Sequence, residues 1–429
     1  MELYNLYQLY KKSKGISTDT RSLKNNQIFF SLKGENFDGN QYALQSLQKG
    51  ACYAVVDDKT LAGRKGVILV PDALQTLQEL AKIHHAESSF KVIAITGSNG
   101  KTTTKELLFN ILKQEYKCDA TQGNLNNHIG VPLTLLSFSS DLDFGIVEMG
   151  ANHIGEIDFL CQIAQPEQGV ITNIGKAHLE GFGSIEGVAQ AKSELFYYLG
   201  KNEGTIFFNN RLKDYINIRD YKKATLIPYS LSTDNFSYQL LKEEQYIELK
   251  LELSGKELIV NSNLTGIYNA ENILTASTIS FFNGVTLHSI KKGIYDYIPR
   301  NNRSQRIKTV VNEIISDCYN ANPTSMKASI DNLITIKVKK KACIIGEMNE
   351  LGAYSTEEHQ HLINYINKTD IDVVYYVGRS FQDLDLSGNR YFANVEELIN
   401  HIKLYPLKDY MILLKGSRTN KLENIIDYL

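Results

Sequence analysis

At 429 residues, with 43% hydrophobic and 22% charged side chains and only 7 prolines, the chain has room for about three globular domains and is neither a disordered nor a collagenous polymer. Its 46 basic and 48 acidic side chains leave a formal net charge of −2, which excludes a whole-chain cation excess of the kind that grips nucleic acid. No apolar run reaches the roughly 18 residues of a membrane span, and Met1 opens a polar amphipathic segment, so a cytoplasmic protein without obligate membrane insertion is expected.

Residues 1 to about 85 carry short apolar runs at Ile28 to Leu32, Cys52 to Val56 and Ile68 to Val70, separated by glycines, then helical spacing from Ala73 to His85. A compact αβ appendage with a boundary near Ser88 follows from this pattern. Next, Lys91 to Ile95 reads as a strand, and Leu107, Leu108 and Ile111 recur at helical spacing after an intervening glycine turn. With further strands at Phe144 to Val147 and Gly169 to Ile171, a mostly parallel sheet is expected.

Residues from about 204 to 265 alternate instead, as in Tyr246 to Leu253, and predict exposed strands added as an antiparallel edge. Helical spacing returns over Asn269 to Ile279, and Pro299 to Gln305 supplies a turn or linker. Beyond it, strands at Val310 to Ile315, Ala342 to Ile345, Val373 to Val377 and Met411 to Leu414 alternate with helices and predict a second αβ sheet. The five cysteines at 52, 118, 161, 318 and 343 are scattered and read as reduced thiols.

The chemistry concentrates in Thr96-Gly97-Ser98-Asn99-Gly100-Lys101-Thr102-Thr103-Thr104, between the Lys91 strand and the helix. Gly97 and Gly100 allow tight turns, helix-start amides can face phosphate oxygens, Lys101 brings a mobile cation, and Thr102 or Thr103 offers a hydroxyl to magnesium. The spacing lacks GxGxxG, so ATP or GTP suits it better than a dinucleotide. Taken alone, the loop also fits a glycine-rich surface turn followed by a lysine-bearing helix.

Together with Thr121 to Leu133, Glu148 to His153 and Thr172 to Glu180, this loop resembles the ATP loop and following motifs of the Mur ligase family. Asp317 to Met326, Gly346 to Gly352 and Lys415 to Arg418 carry the resemblance to the end of the chain, closest to the branch of that family that adds a dipeptide. The resemblance implies an α/β fold of three domains: residues 1–87 binding a UDP substrate, 88–299 a central P-loop-type parallel sheet, and 300–429 a Rossmann-like unit that meets nucleotide and incoming dipeptide. The implied activity is ATP-dependent ligation of D-alanyl-D-alanine to UDP-N-acetylmuramoyl-tripeptide through an acyl phosphate, giving a pentapeptide precursor of peptidoglycan, by a monomeric enzyme that binds no nucleic acid.

The same resemblance implies the site. Lys101, His178 and Lys192 are the expected catalytic groups, with Thr102, Glu148, His178 and Lys192 holding Mg2+ and Lys192 converted by carbon dioxide to a carbamate. Gly97, Asn99, Gly100, Lys101, Thr102, Thr103, Asn269, Asn272, Arg303 and Asp317 are expected around ATP. Ser17, Thr18, Asp19, Arg21, Asn126, Asn127, Asn320, Asn322, Ser325, Lys415 and Ser417 are expected around the acceptor and the dipeptide. His153 and Glu180 suit either metal or substrate orientation or plain packing.

The sequence departs from the family pattern at Tyr268, Ser316 and Glu347, where histidine, aspartate and aspartate are common. These departures leave the nucleotide contact of Tyr268 and a paired-carboxylate role for Ser316 and Asp317 open. A ligase adding one amino acid, a nucleotide-binding scaffold and a P-loop hydrolase are the competing readings.

Overall fold

The computed structural model describes residues 2–230 and 235–429; Met1 and residues 231–234, the latter inside the expected 204–265 strand segment, lie outside the described residues. The first unit is a parallel sheet in the order Ile16–Ser17, Ile28–Phe30, Tyr53–Val56, Val67–Leu69. Asp72 caps the next helix, Ala73–Ala86, by accepting from Gln75 N–H at 2.7 Å, and the helix buries Leu77, Leu80 and Ala81. That buried stripe packs on helices Gly130–Ser137 and Glu156–Ala164 of the following unit. One apolar cluster therefore runs from Leu6 and Phe30 through Leu77 to Val147 and Phe208, so the appendage shares its core with its neighbour.

Six parallel strands form the central sheet, in the order Thr225–Tyr229, Thr205–Asn209, Gln168–Ile171, Lys91–Thr96, Phe144–Glu148, Cys118–Ala120. Strand Lys91–Thr96 is buried on both faces from Val92 to Thr96, as its continuous apolar run requires. It pairs with two strands that come later in the chain, so the chain leaves it at a switch in strand order, where open αβ sheets leave a crevice.

Of the 204–265 segment, Thr205–Asn209 and Thr225–Tyr229 extend that sheet as parallel strands, whereas the alternating stretch from Phe236 does not join it. Strands Phe236–Glu243, Ile247–Leu253 and Lys256–Asn261 make a separate antiparallel sheet, with Ile247, Leu249, Leu251 and Leu253 all buried on one face. That face packs on helix Tyr268–Phe282, which in turn packs on helix Lys101–Leu112. Period-2 alternation fixes a half-buried strand but not its partner, which is why an edge strand was the expectation.

The last unit is a second six-stranded sheet in the order Gln305–Lys308, Glu313–Asp317, Met411–Lys415, Lys341–Gly346, Val373–Val377, Arg390–Phe392, parallel except for its first pair. Here the strand expected from Val310 begins three residues later. Val310 and Val311 occupy a hairpin turn closed by Thr309 Oγ1, which accepts from Val311 N–H at 3.3 Å and Asn312 N–H at 2.9 Å, so the turn overrides the strand preference of valine. All five cysteines are free thiols, and no helix among the described residues is long and apolar enough to cross a membrane.

Candidate active site

Gly100 precedes helix Lys101–Leu112 with φ +79°, a conformation glycine tolerates, and a Cβ there would run into Asn272 Oδ1. The loop before it is held from behind. Ser98 Oγ donates to Gly175 O at 3.0 Å, Asn99 N–H donates to Asn173 Oδ1 at 3.0 Å, and Thr172 Oγ1 donates to Asn99 O at 2.6 Å. Lys101 folds back onto Gly97 O and Ser98 O, and burial lowers its pKa despite the nearby Glu148 carboxylate.

Glu148 ends the neighbouring strand at 3% exposure. Thr102 Oγ1 donates to its Oε2 at 2.8 Å, and Asn126 Nδ2 donates to its Oε1 at 2.9 Å. Among the described residues no three His, Cys, Asp or Glu side chains cluster as a metal cage. The hydroxyl and carboxylate of Thr102 and Glu148 instead suit magnesium, which takes few protein ligands and completes its octahedron with phosphate oxygens and water.

Across the cleft, His178 has φ +52° and Nδ1 lies 2.6 Å from Glu350 Oε2, whose pKa is lowered by that contact. Asn322 caps helix Pro323–Thr335 through Ser325 N–H at 2.9 Å, and its Nδ2 donates to Asn99 Oδ1 at 2.8 Å, tying the glycine loop to the last sheet. Lys415 Nζ reaches Asp317 Oδ2 at 2.9 Å and Asn320 O at 2.9 Å. The Arg303 guanidinium lies over the Tyr319 ring at 3.7 Å.

These groups line one cavity of 1030 Å³ that holds Asn99, Gly100, Lys101, Thr102, Thr103, Asn126, Asn127, Glu148, His178, Asn269, Asn272, Arg303, Asp317, Asn320, Asn322, Ser325 and Lys415. Several already have structural partners: Asn127 Oδ1 accepts from Gly130 N–H at 2.8 Å, and Asn272 Nδ2 donates to Asn269 Oδ1 at 2.9 Å. Ser17, Thr18 and Asp19 instead line a second cavity of 570 Å³ with Tyr10, Gln27 and Leu125. Arg21 pairs with Asp19 at 2.7 Å on the surface.

Ser417 and Lys192 do not line either cavity. Ser417 is 1% exposed and its Oγ accepts from Asn349 N–H at 2.9 Å. Lys192 is 1% exposed, its Nζ 5.2 Å from the Phe182 ring centre and 3.5 Å from Ala151 O. Burial, and next the Lys101 charge, depress its pKa to about 7. His153 is surface-exposed beside Glu156, and Glu180 N–H donates to Glu350 O at 3.2 Å.

Sequence reasoning gave no role to Glu350, or to Lys176, whose Nζ reaches Glu358 Oε1 at 2.6 Å and joins the central unit to the last one. Both contacts join residues more than 170 positions apart, so no local pattern announces them.

Known proteins with this arrangement are numerous. Residues 12–85 match the catalytic domain of the Mur ligase family, 95–280 the Mur ligase middle domain, and 302–418 the Mur ligase glutamate ligase domain. The chain is 34% identical over 426 residues to UDP-N-acetylmuramoyl-tripeptide--D-alanyl-D-alanine ligase of Bacillus subtilis, covering 96% of this chain and 92% of that one. The enzyme of the same name from Escherichia coli is 33% identical over 420 residues, with the same two coverages of 96% and 92%. Among solved structures, MurF from Acinetobacter baumannii superposes with a TM-score of 0.87 at 30% identity, covering 98% of this chain and 97% of that one. MurF ligase from Thermotoga maritima in complex with ADP gives a TM-score of 0.86 at 25% identity, with 98% and 97% covered. With family domains matched from residue 12 to residue 418 and relatives at this identity along almost its whole length, the chain belongs to the Mur ligase family.

Proposed function

We infer that the chain is an ATP-dependent ligase that joins D-alanyl-D-alanine to UDP-N-acetylmuramoyl-tripeptide, forming the pentapeptide precursor of peptidoglycan. The observation that carries this reading is the single cleft in which Lys101, Thr102 and Glu148 of one sheet face Arg303, Asp317, Asn322 and Lys415 of another. Full-length relatives of that named activity supply the substrate class. Residues 1–87, 88–299 and 300–429 are the units we assign to acceptor, phosphate chemistry and dipeptide, respectively.

A carboxylate is too poor an electrophile for direct amide formation. Its oxygen therefore attacks the γ-phosphorus of ATP, releasing ADP and leaving an acyl phosphate. The dipeptide amine adds to that carbonyl, loses its proton, and inorganic phosphate departs as the amide forms. Lys101 balances charge on the transferring phosphoryl group, and the Arg303 guanidinium, flattened on Tyr319, offers a second cation from the opposite wall.

Thr102 Oγ1 and the Glu148 carboxylate would hold magnesium, which when bound would supply positive charge to neutralise the phosphates. We assign His178 to a second cation position with Lys192. A lysine whose pKa falls to about 7 is half uncharged near neutrality, the state needed for its nitrogen to bond carbon dioxide, release a proton and become a carbamate. Ser17, Thr18 and Asp19 in the 570 Å³ cavity are assigned to the uridine nucleotide, with Arg21 bracing Asp19. We assign Lys415 and Asn320 to the dipeptide carboxylate, and Ser417, whose Oγ accepts from Asn349 N–H, to support of that loop from behind.

The deciding experiment incubates the protein with ATP, magnesium, UDP-N-acetylmuramoyl-tripeptide and D-alanyl-D-alanine, and follows ADP and product mass as each is omitted. Sustained ADP release that needs both acceptor and dipeptide, with a pentapeptide product, is expected. Dipeptide-independent turnover, or a product extended by one amino acid, overturns the assignment.

A further inference from the structure

Burying a lysine ammonium is unfavourable unless its lost hydration is replaced, and methionine would fill the same space without that cost. Lys105 is 1% exposed. It lies in helix Lys101–Leu112, four residues beyond Lys101 and three beyond Thr102, so these side chains share the helix face that starts at the glycine loop. Its ammonium donates to the main-chain carbonyl of Thr121 and pairs with Glu106 Oε1 at 2.8 Å. The reaction described above makes no use of this charge.

Thr121 connects it to the cation site. This buried residue follows strand Cys118–Ala120, and its Oγ1 accepts the Glu148 main-chain N–H at 2.9 Å. Five residues later, Asn126 Nδ2 holds Glu148 Oε1 at 2.9 Å while Asn126 O accepts Gly150 N–H at 2.8 Å. The 121–126 segment thus grips Glu148 by its backbone and one carboxylate oxygen. Thr102, on the helix, grips the other oxygen. Only the Lys105 bond, among these contacts, joins the helix directly to the gripping segment.

We propose that Lys105 is a positioning residue that, through Thr121, sets the spacing between the glycine-loop helix and Glu148 and so shapes the divalent-cation position between Thr102 and Glu148. The proposal rests on the assignment of those two residues to the cation. A buried cation is suited to this because three donors on a flexible stem can satisfy a carbonyl and a carboxylate together, which an apolar side chain cannot.

The test compares Lys105→Met, Thr121→Val, their double variant and Glu148→Gln in the full chain. Manganese binding is measured by electron paramagnetic resonance with a non-hydrolysable ATP analogue, metal-free analogue binding by calorimetry, and folding by circular dichroism. Lys105→Met and Thr121→Val should each weaken manganese binding about tenfold, the scale of lost support behind a metal ligand, with metal-free analogue affinity unchanged. The double variant should be no weaker than the worse single variant, because both act along one path. Wild-type manganese affinity in a folded Lys105→Met or Thr121→Val protein overturns the proposal, as does an equal loss of metal-free analogue binding. Should Lys105→Met not fold, Thr121→Val decides alone. Unchanged manganese binding in Glu148→Gln removes the cation site itself, a failure of the parent assignment that the other variants do not share.

Discussion

Asn322 joins two functions that ordinary truncation would confuse: it caps helix Pro323–Thr335, and its amide pairs with Asn99 of the glycine loop at 2.8 Å. Loss of an N-cap to alanine costs about 1 kcal/mol. A partly buried amide hydrogen bond contributes about 1 kcal/mol more. Asn322→Ala should therefore lose about 2 kcal/mol, divided between stability of the last unit and its docking on the loop. Serine caps as well as asparagine but is too short to reach Asn99, so Asn322→Ser should keep the first term and lose only the second.

That separation is measurable. Thermal unfolding by circular dichroism should show a lowered midpoint for Asn322→Ala and a near-wild-type midpoint for Asn322→Ser. Both should lower kcat/KM for amide-forming ADP release about fivefold, the factor that 1 kcal/mol supplies, if docking of the last unit precedes chemistry. Asn99→Ala should show the same loss, and the Asn99→Ala, Asn322→Ser pair should be less than additive. Wild-type turnover in Asn322→Ser, or a midpoint as low as that of Asn322→Ala, refutes the view that this amide pair holds the cleft closed.

Lys192→Met should abolish ligation yet, in buffer freed of carbon dioxide, raise the unfolding midpoint near pH 7. The native pKa of about 7 lies below the unfolded value, so the unfolded chain binds more protons between these limits and wild-type stability rises with pH from about 7 until the unfolded lysine deprotonates; a denaturant-melt pH series that is flat would contradict this. Bicarbonate activation of the wild type should likewise steepen as pH rises through 7. Gly100→Ala should strain a φ of +79° and crowd Asn272, costing about 1 to 2 kcal/mol and most of the ATP-analogue affinity read by calorimetry. Val310→Asp should shift stability by no more than about 0.5 kcal/mol in urea melts, while Ile314→Asp, in the strand core, should leave the last unit unfolded.

The Val310 and Ile314 contrast shows where sequence stops being informative. Continuous apolar runs such as Val92 to Ile95 and Ala342 to Ile345 are unambiguous because burial on both faces leaves no alternative. Val310 and Val311 have the same composition, but a threonine hydroxyl that closes a turn places them in water. Likewise Lys101 and Thr102 were legible because a strand, a glycine turn and a helix fix them locally, whereas Glu148, at the end of a separate strand, took its metal role only from the family resemblance. His178 with Glu350, and Asn99 with Asn322, depend on how two sheets face each other, which no periodicity encodes. Family resemblance put His178, Asn99 and Asn322 at one site beforehand, but it gave Glu350 no role and predicted neither pairing.

Two of the three departures from the family pattern, Tyr268 and Ser316, fit one structural account, while Glu347 accepts from Ser380 N–H and Oγ elsewhere. Tyr268 Oη lies 2.8 Å from Ser304 Oγ, and Ser316 Oγ donates to Asn302 Oδ1 at 2.9 Å. Both bonds land on the linker between the two large sheets, on either side of Arg303. Asn302 and Ser304 have φ of +56° and +50°, a conformation that non-glycine residues hold only when their surroundings impose it. Asp317 adds a further restraint by accepting from Ser304 N–H at 3.0 Å. The Tyr268 and Ser316 hydroxyls thus hold the side chains on either side of Arg303, and the Arg303 guanidinium lies over the Tyr319 ring at 3.7 Å. A histidine at 268 or an aspartate at 316 would have to rebuild that grip. Because the two bonds hold different neighbours of Arg303, Tyr268→Phe or Ser316→Ala should each loosen the linker, and the pair should loosen it further.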